Sequence, residues 1–552
     1  MFSLFVIIFL LFLSLIFFFG IKKTKYFSAE NPTEIKYFYS LFVIILFIAV
    51  LLRIINLNFN SYWIDELFSI NTASFKSASE VISECREDVH PPLYQLILHY
   101  YTGFAGSSEI ASRLLSAIFG ILSTAGIYLI TKLLFDTKKA LAVMLMFSVA
   151  YMPVYYSQEV RSYSLLLMLT LFTNYFFLKA FILAEHEIKY KILHTVFYCI
   201  SSVLLMYTHY YGIPVIVFNF CFLTFYFFMQ YRFGEFIKNI LKTIPIYLLV
   251  AAVYYFSWGY VIAYQYQRTF WPKIGDRNIF SAFVFYVLTP NLKNYFINDL
   301  LLQFVAALMC IFLIYYFFKT VKCKFNLLPV KKYYYSMLFL LFWIFIPYVI
   351  SFLQTVFSNP SISFRNLIIL SPAVIIILYS IVEKSIDKIL KFITERFIFL
   401  TGKFKLKYLT VNPMILSVIL SMFLFVKTYG YYSYPTKHDI RSIIKEISED
   451  YENRGDSTVM FTTSKTSDQL NYYFKRFSPK LRIKSYLAGE SLENELIKFK
   501  DDFLKNDFLI LFDLKNWGKD SDKSLNYFKS KYTLEMHKES EGFAVYVFDL
   551  KK

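Results

Sequence analysis

The stretch YFYSLFVIILFIAVLLRIINLNFNSYWIDELFSI, residues 37–70, decides what kind of molecule this is. Its first part, to about residue 56, is one apolar run, and a bilayer core about 30 Å thick needs roughly 20 such residues per helix. Just beyond it two carboxylic acids, Asp65 and Glu66, stand side by side among aromatic and aliphatic neighbours. Such acids either solvate a loop or mark a site, since ionisable groups at a membrane edge are costly unless paired or used.

Composition extends this reading to the whole chain. Of 552 residues, 57% are hydrophobic and only 17% are charged, and the mean hydropathy is +0.49. Soluble domains carry about 25% charged residues, so most of this chain is expected in lipid. A net charge of +18 would suggest nucleic acid in a soluble protein. Here the lysines cluster in short loops between apolar runs, as topology-setting cytoplasmic loops do, and no nucleic-acid partner is expected. The five cysteines show neither CxxC nor zinc-like spacing, which argues against a disulfide framework or structural metal.

On the 20-residue template about twelve spans are expected. They lie near 2–20, 37–56, 111–132, 140–156, 162–183, 191–207, 213–230, 243–262, 299–318, 333–353, 367–383 and 411–428. The first lacks a basic start and a small-residue cleavage site, and Lys22, Lys23 and Lys25 follow it. Residues 1–36 therefore read as a retained extra anchor with a cytoplasmic linker. The basic loops at 22–36, 132–139, 189–191, 232–242, 319–332 and 384–407 fall on one side, the cytoplasmic one. Loops 57–110, 157–161, 208–212, 263–298 and 354–366 then face outward, as does the tail. In residues 430–552 the texture changes: STVMFTT (457–463), DFLILFDL (507–514) and GFAVYVFDL (542–550) read as strands, while 440–451 and 490–504 have helical apolar spacing. The expected fold is an α-helical polytopic membrane protein, residues 37–429, with a small C-terminal α/β domain outside the cytosol, residues 430–552.

Ionisable groups collect in the outward loops. DVHPPLY (88–94) sets Asp88 two residues before His90. A residue preceding proline is driven to extended backbone, where alternate side chains share a side. Asp88 and His90 can therefore address one ligand, an acceptor or a divalent cation, although two ligands make an incomplete metal site. Asp65 and Glu66 are adjacent, cannot share a helix face and take separate roles. YYSQEVRSY (155–163) packs Glu159, Arg161 and Tyr163 into a very short loop. The acid and the arginine either pair with each other or offer a guanidinium fork to a phosphate. MYTHYYG (206–212) ends a span in His209, by itself an ordinary interfacial histidine. SISFRNLIIL (361–370) sets Arg365 at the lip of another span, where snorkelling is the plain alternative.

In this order, YWIDEL, DVHPPLY, SRLLSAIFGILST (112–124), YSQEVRSYSLLL, YTHYYG and FRNLIIL resemble the GT-C glycosyltransferases. They are most similar to the bacterial and archaeal branch related to the protein O-mannosyltransferases and the lipid A aminoarabinose transferase, over most of 37–430. The resemblance implies an inverting transferase that takes sugar from a polyprenyl-phosphate donor on the extracytoplasmic face. It places Asp65 at the family's acidic catalytic position and makes the HPP phrase a shared feature of the same loop. The chain departs from the family in its extra N-terminal span and in Asn366, where many relatives carry tyrosine after the arginine.

The chemistry asks for the same residues. Phosphate is already a good leaving group, so its displacement from a sugar carbon needs little general acid. It needs a base for the acceptor's proton, typically worth about 10² to 10⁴-fold, and cations for the departing phosphate. Asp65 is the expected base, with Glu66 positioning it or the acceptor. Arg161 and Arg365 are the expected phosphate holders, with Arg113 and Arg268 as further candidates, and Asp88, His90, Glu159, Tyr163 and His209 bind substrate. No cofactor is expected; Asp88 and His90 are the pair a divalent cation would take. The implied partners are a polyprenyl-phosphate sugar, an extracytoplasmic lipid, glycan or protein acceptor, and the plasma (inner) membrane itself. A transporter or flippase of lipid-linked saccharides would instead place charges in mid-span, in helices broken by Gly or Pro. A lipid-linked polymerase would share the donor but not this set of loops, and a sensor would bind ligand through the tail without turnover.

Overall fold

A computed structural model describes residues 32–183, 187–268, 329–357, 363–397, 439–452, 458–462, 467–477, 483–487, 508–514, 521–540 and 543–551, with isolated positions between 283 and 318 and at 421. The expected spans at 2–20 and 411–428, most of that at 299–318, and the expected helix at 490–504 lie outside the described residues. The chain forms two compact units, one of Met1–Ile55 and Thr72–Gly430, the other of Asn56–Asn71 and Tyr431–Lys552.

The first unit is helical. Its elements are α1 (Pro32–Ile54), then, following α2 (Ile64–Ala73), α3 (Ala78–Glu87), α4 (Leu93–Ala105), α5 (Glu109–Leu134), α6 (Thr137–Val149), α7 (Tyr151–Ser157), α8 (Tyr163–Phe177), α9 (Ile188–Thr208), α10 (Gly212–Gln230), α11 (Phe233–Tyr254), α12 (Tyr260–Arg268), α13 (Pro329–Phe357) and α14 (Ser371–Phe397). Side-chain caps start several of them: Ser77 accepts from the Glu80 N–H, Ser108 from Ala111 and Asp136 from Lys139. Among the described residues eight helices are long and apolar enough to cross a membrane, and α6 with α7 makes a ninth if that bent pair is one span.

The expected single span at 140–156 is that bent pair, broken by 58° at Ala150. Pro153 explains the break. Its ring would collide with the carbonyl of Val149 and it has no N–H to donate there, so α6 stops at Val149, Ala150 is extended, and Pro153 falls in the first turn of α7.

Burial ranks the spans. The apolar window of α8 is 89% buried, whereas that spanning α11 and α12 is 22% buried. A helix apolar all round belongs in the interior, and α8 packs against α5, α9 and α10. Close approach depends on Gly120 of α5, where an added Cβ would stand 2.7 Å from the Ser157 Cβ and 3.0 Å from the Arg53 Nε. Two fully buried asparagines join α8 to α10, Asn219 Nδ2 donating to Asn174 Oδ1 at 3.2 Å. Where α6 begins, buried Lys139 pairs with Glu383 of α14 at 2.5 Å and is walled by the rings of Phe135, Tyr333 and Tyr379.

The second unit is α/β. Strands β1 (Thr458–Thr462), β2 (Ile483–Leu487), β3 (Phe508–Leu514), β4 (Thr533–Ser540) and β5 (Phe543–Asp549) form one sheet in the order β2-β1-β3-β5-β4. β1 is parallel to β2 and β3, and β5 is antiparallel to β3 and β4. The helices are α15 (Ile440–Glu452), α16 (Ser467–Phe477) and α17 (Ser521–Lys531). α15 turns Ile440, Ile444 and Ile447 inward, and α16, which packs against it, buries Leu470, Tyr473 and Phe474; both follow the helical apolar period. β1, β3, β5 and α15 lie where the apolar patterning of the sequence places them. The two edge strands carry no such apolar signal, because IKSYL and TLEMHKES hold the polar residues that protect sheet edges.

Candidate active site

Asp65 and Glu66 occupy the first turn of α2, where the helix dipole favours carboxylates. Glu66 is fully buried, and its Oε2 accepts from the Trp63 N–H at 3.3 Å. This is the back-reaching half of a capping box, with Trp63 at the N-cap and Glu66 at the third helical position. Asp65 is half-buried, and its carbonyl accepts from Ser69 Oγ at 3.2 Å. Adjacent in sequence, the two acids have different surroundings, as their helical spacing requires.

Asp88, His90, Arg161, Tyr163, His209 and Arg365 converge within the first unit. Asp88 ends α3 in extended backbone, its N–H still donating to the Glu84 carbonyl. Its Oδ2 lies 2.8 Å from His90 Nδ1, and Arg161 Nη2 lies 3.3 Å from His90 Nε2. Arginine can only donate, so in the neutral ring Nε2 accepts and the proton sits on Nδ1, donated to Asp88; protonated, the same ring carries a positive charge beside that carboxylate. Both ring nitrogens are thereby engaged. Burial pushes the Asp88 carboxyl up; the His90 hydrogen bond and charge, the Val89 N–H and the Arg161 charge outweigh it and leave the group below its usual value.

His209 stands next to this chain, its ring 5.4 Å from that of His90 and 5.8 Å from that of Tyr163. It caps α9 in extended backbone, and its Nδ1 accepts from the Tyr211 N–H at 3.2 Å. The turn into α10 is tight: a Cβ on Gly212 would meet the Leu205 carbonyl at 2.7 Å. Burial, then the charges of His90, Arg161 and Arg365, hold the His209 imidazole well below its usual value. Arg365 is thus placed within electrostatic reach of His209, where it precedes the short 3-10 turn Asn366–Leu370. Asn366, the departure from the family pattern, and Ser351 hydrogen-bond the Tyr211 hydroxyl. Tyr163 opens α8 buried, with its ring 5.0 Å from Tyr156. Glu159 is buried in the same loop, and Arg113 is buried on α5. Arg268 is the last residue of α12. Among the described residues no group of three or more His, Cys, Asp or Glu side chains could hold a metal ion.

Supports that carry no motif hold these residues in place. Gln265 of α12 donates to the carbonyls of Cys85 at 2.8 Å and Arg86 at 3.2 Å, at the end of α3. Tyr210 donates to Gln265 and accepts from Trp258 Nε1. Tyr264 donates to the Glu87 carboxylate at 3.0 Å. Gln158 donates to the carbonyls of Leu52 and Ile55, closing the end of α1. The only sequence signal for these was polar side chains at the outer ends of apolar runs, which motif reading passes over.

Residues 89–258 match the family described as dolichyl-phosphate-mannose-protein mannosyltransferase. Among solved structures, ArnT from Cupriavidus metallidurans in the apo state superposes with a TM-score of 0.55 at 10% identity, over 93% of this chain and 98% of that one. The same protein bound to undecaprenyl phosphate gives 0.50 at 10% identity, over 94% and 98%. The apo oligosaccharyltransferase of Archaeoglobus fulgidus gives 0.50 at 11% identity, over 94% of this chain and 75% of that one. No curated protein matches the sequence significantly. The chain has the GT-C fold of the membrane glycosyltransferases. It is a multi-pass membrane protein built like ArnT.

Proposed function

We propose that the protein is an inverting glycosyltransferase that moves a sugar from a polyprenyl-phosphate donor to an extracytoplasmic acceptor. The observation that carries the proposal is the Asp88–His90–Arg161 chain beside His209 and Arg365, within a fold shared with a protein that binds undecaprenyl phosphate. In the proposed step the acceptor's O–H or N–H gives its proton to the Asp65 carboxylate. The acceptor atom bonds to the sugar's anomeric carbon as the bond from that carbon to the phosphate oxygen breaks, and the electron pair leaves on polyprenyl phosphate. The departing phosphate gains a negative charge, so fixed cations bind it more tightly in the transition state than in the ground state. Arg161 and Arg365 take that role, with Arg161 held in line by His90 and Asp88. Glu66 sets the turn that presents Asp65. Glu159, Tyr163 and His209 complete the substrate surface.

In this reading residues 1–36 add an anchor and cytoplasmic linker, 37–429 form the catalytic membrane domain, and 430–552 stand outside the cytosol. Support comes from the lysine-rich loops, which cluster away from the span ends bearing these residues. The test is the purified protein in proteoliposomes with radiolabelled polyprenyl-phosphate sugars and an envelope extract, scoring label lost from lipid. Asp65→Asn should lower transfer about 10² to 10⁴-fold with unchanged thermal unfolding. Full transfer by that variant would overturn the assignment of the base.

A further inference from the structure

The segment that leads into the Asp65 helix belongs to the C-terminal unit. The Tyr62 N–H donates to the Tyr473 hydroxyl at 2.6 Å, and its ring meets Tyr472 edge-on at 5.4 Å. Tyr62 and Tyr473 are both completely buried. One residue earlier, Ser61 is spliced into the start of α15. Its Oγ donates to Asp439 Oδ1 at 3.2 Å and accepts from the Arg441 N–H at 3.1 Å, while Asp439 itself accepts from the Ser442 N–H. Arg441 Nη2 donates to the Phe59 carbonyl at 3.3 Å. Residues 59, 61 and 62 are thus fixed by side chains or backbone groups about four hundred positions away. Trp63 follows directly and is tied to Glu66, so no slack separates the grip from Asp65.

We infer that Tyr473, Asp439 and Arg441 are positioning residues for sugar transfer: the C-terminal unit sets the location of the Asp65 carboxylate through residues 59–62. The inference rests on Asp65 being the base. A misplacement of 1 Å can cost about 10²-fold in rate, and a site whose supporting shell is left loose is present but misplaced. The grip acts through the backbone that leads to Asp65, so its loss is expected in kcat, with KM for the lipid donor unchanged.

The experiment is a double-mutant cycle in proteoliposomes with a radiolabelled polyprenyl-phosphate sugar. Tyr473→Phe keeps the buried ring and deletes the acceptor; Arg441→Ala is a second, independent cut at the same grip. Each should lower kcat about 10-fold with KM within twofold of wild type. In the Asp65→Asn background the same changes should leave the residual rate unaltered, because a base that is gone cannot be misplaced. Wild-type kcat in both variants, or an equal further loss in the Asp65→Asn background, would overturn the inference while leaving Asp65 as base. An active Asp65→Asn protein would instead remove the base assignment, and this inference with it.

Discussion

The two ends of the broken α6–α7 span each hold a polar cluster, and they are built in opposite ways. At the start of α6, Lys139 and Glu383 form a closed pair, 6% and 15% exposed, sealed by aromatic rings. Beyond α7, His90 and Asp88 are 17% and 22% exposed, and burial, with His90 and the two guanidinium groups beside it, holds the His209 imidazole well below its usual value. The closed pair satisfies its own charges and asks for no ligand. The second cluster sets Arg161 and Arg365 within electrostatic reach of His209, a positive field of the sign a phosphate would meet favourably. Burial of charge alone therefore does not mark a site; the gathering of cationic groups around one imidazole does.

The comparison can be broken by mutation. The largest expected effect, after Asp65→Asn, is at Arg161: Arg161→Ala should cost about 10² to 10³-fold in kcat/KM, measured with labelled lipid-linked sugar. Glu383→Leu should leave activity per folded molecule intact but destabilise the protein by about 3–5 kcal/mol, because it strands the Lys139 ammonium. The double variant Lys139→Met with Glu383→Leu should recover most of that loss in thermal unfolding. If Glu383→Leu proves as damaging to catalysis as Arg161→Ala, the distinction between closed and open clusters fails.

Acid titration sharpens it further. His209 prefers to be neutral in the folded state, so the unfolded chain binds more protons once pH falls below the ordinary value of 6.5. Stability should decline from there downward, and His209→Gln should flatten that decline in melts between pH 7 and pH 5. Asp88 works in a lower window, since its lowered value makes its contribution full above the ordinary carboxylate range and lost as pH falls through the folded value. Asp88→Asn should therefore remove only the most acidic part of the slope. The smallest effect is expected at Asn219→Leu, about 1 kcal/mol in thermal unfolding for one interhelical hydrogen bond, with sugar transfer unchanged.

How much of this could be read beforehand depends on sequence distance. Spans α1, α5 and α8–α11 follow from hydropathy, which needs only neighbouring residues. The 58° break was missed because hydropathy averages over Pro153 as if it were another apolar residue. Asp88 and His90 were legible as a pair because Pro91 fixes the backbone between them. The contact of His90 with Arg161 was not, since it joins residues 71 apart through the packing of separate helices. Glu66 was read as a helper for Asp65, but its bond to Trp63 is a local capping signature that the spacing already contained. Nothing short of the fold could have joined Tyr62 to Tyr473, 411 residues on.

The neighbouring Ser61–Asp439 contact bears on the order of assembly. Ser61 leaves the ribosome 378 residues before the Asp439 carboxylate that will hold it. At 5–20 residues per second the wait is on the order of tens of seconds. Both partners must also be delivered to the same side of the bilayer before they can meet. The segment bearing Asp65 therefore cannot acquire this grip until the C-terminal unit is made, and a chain stalled before Asp439 would lack it.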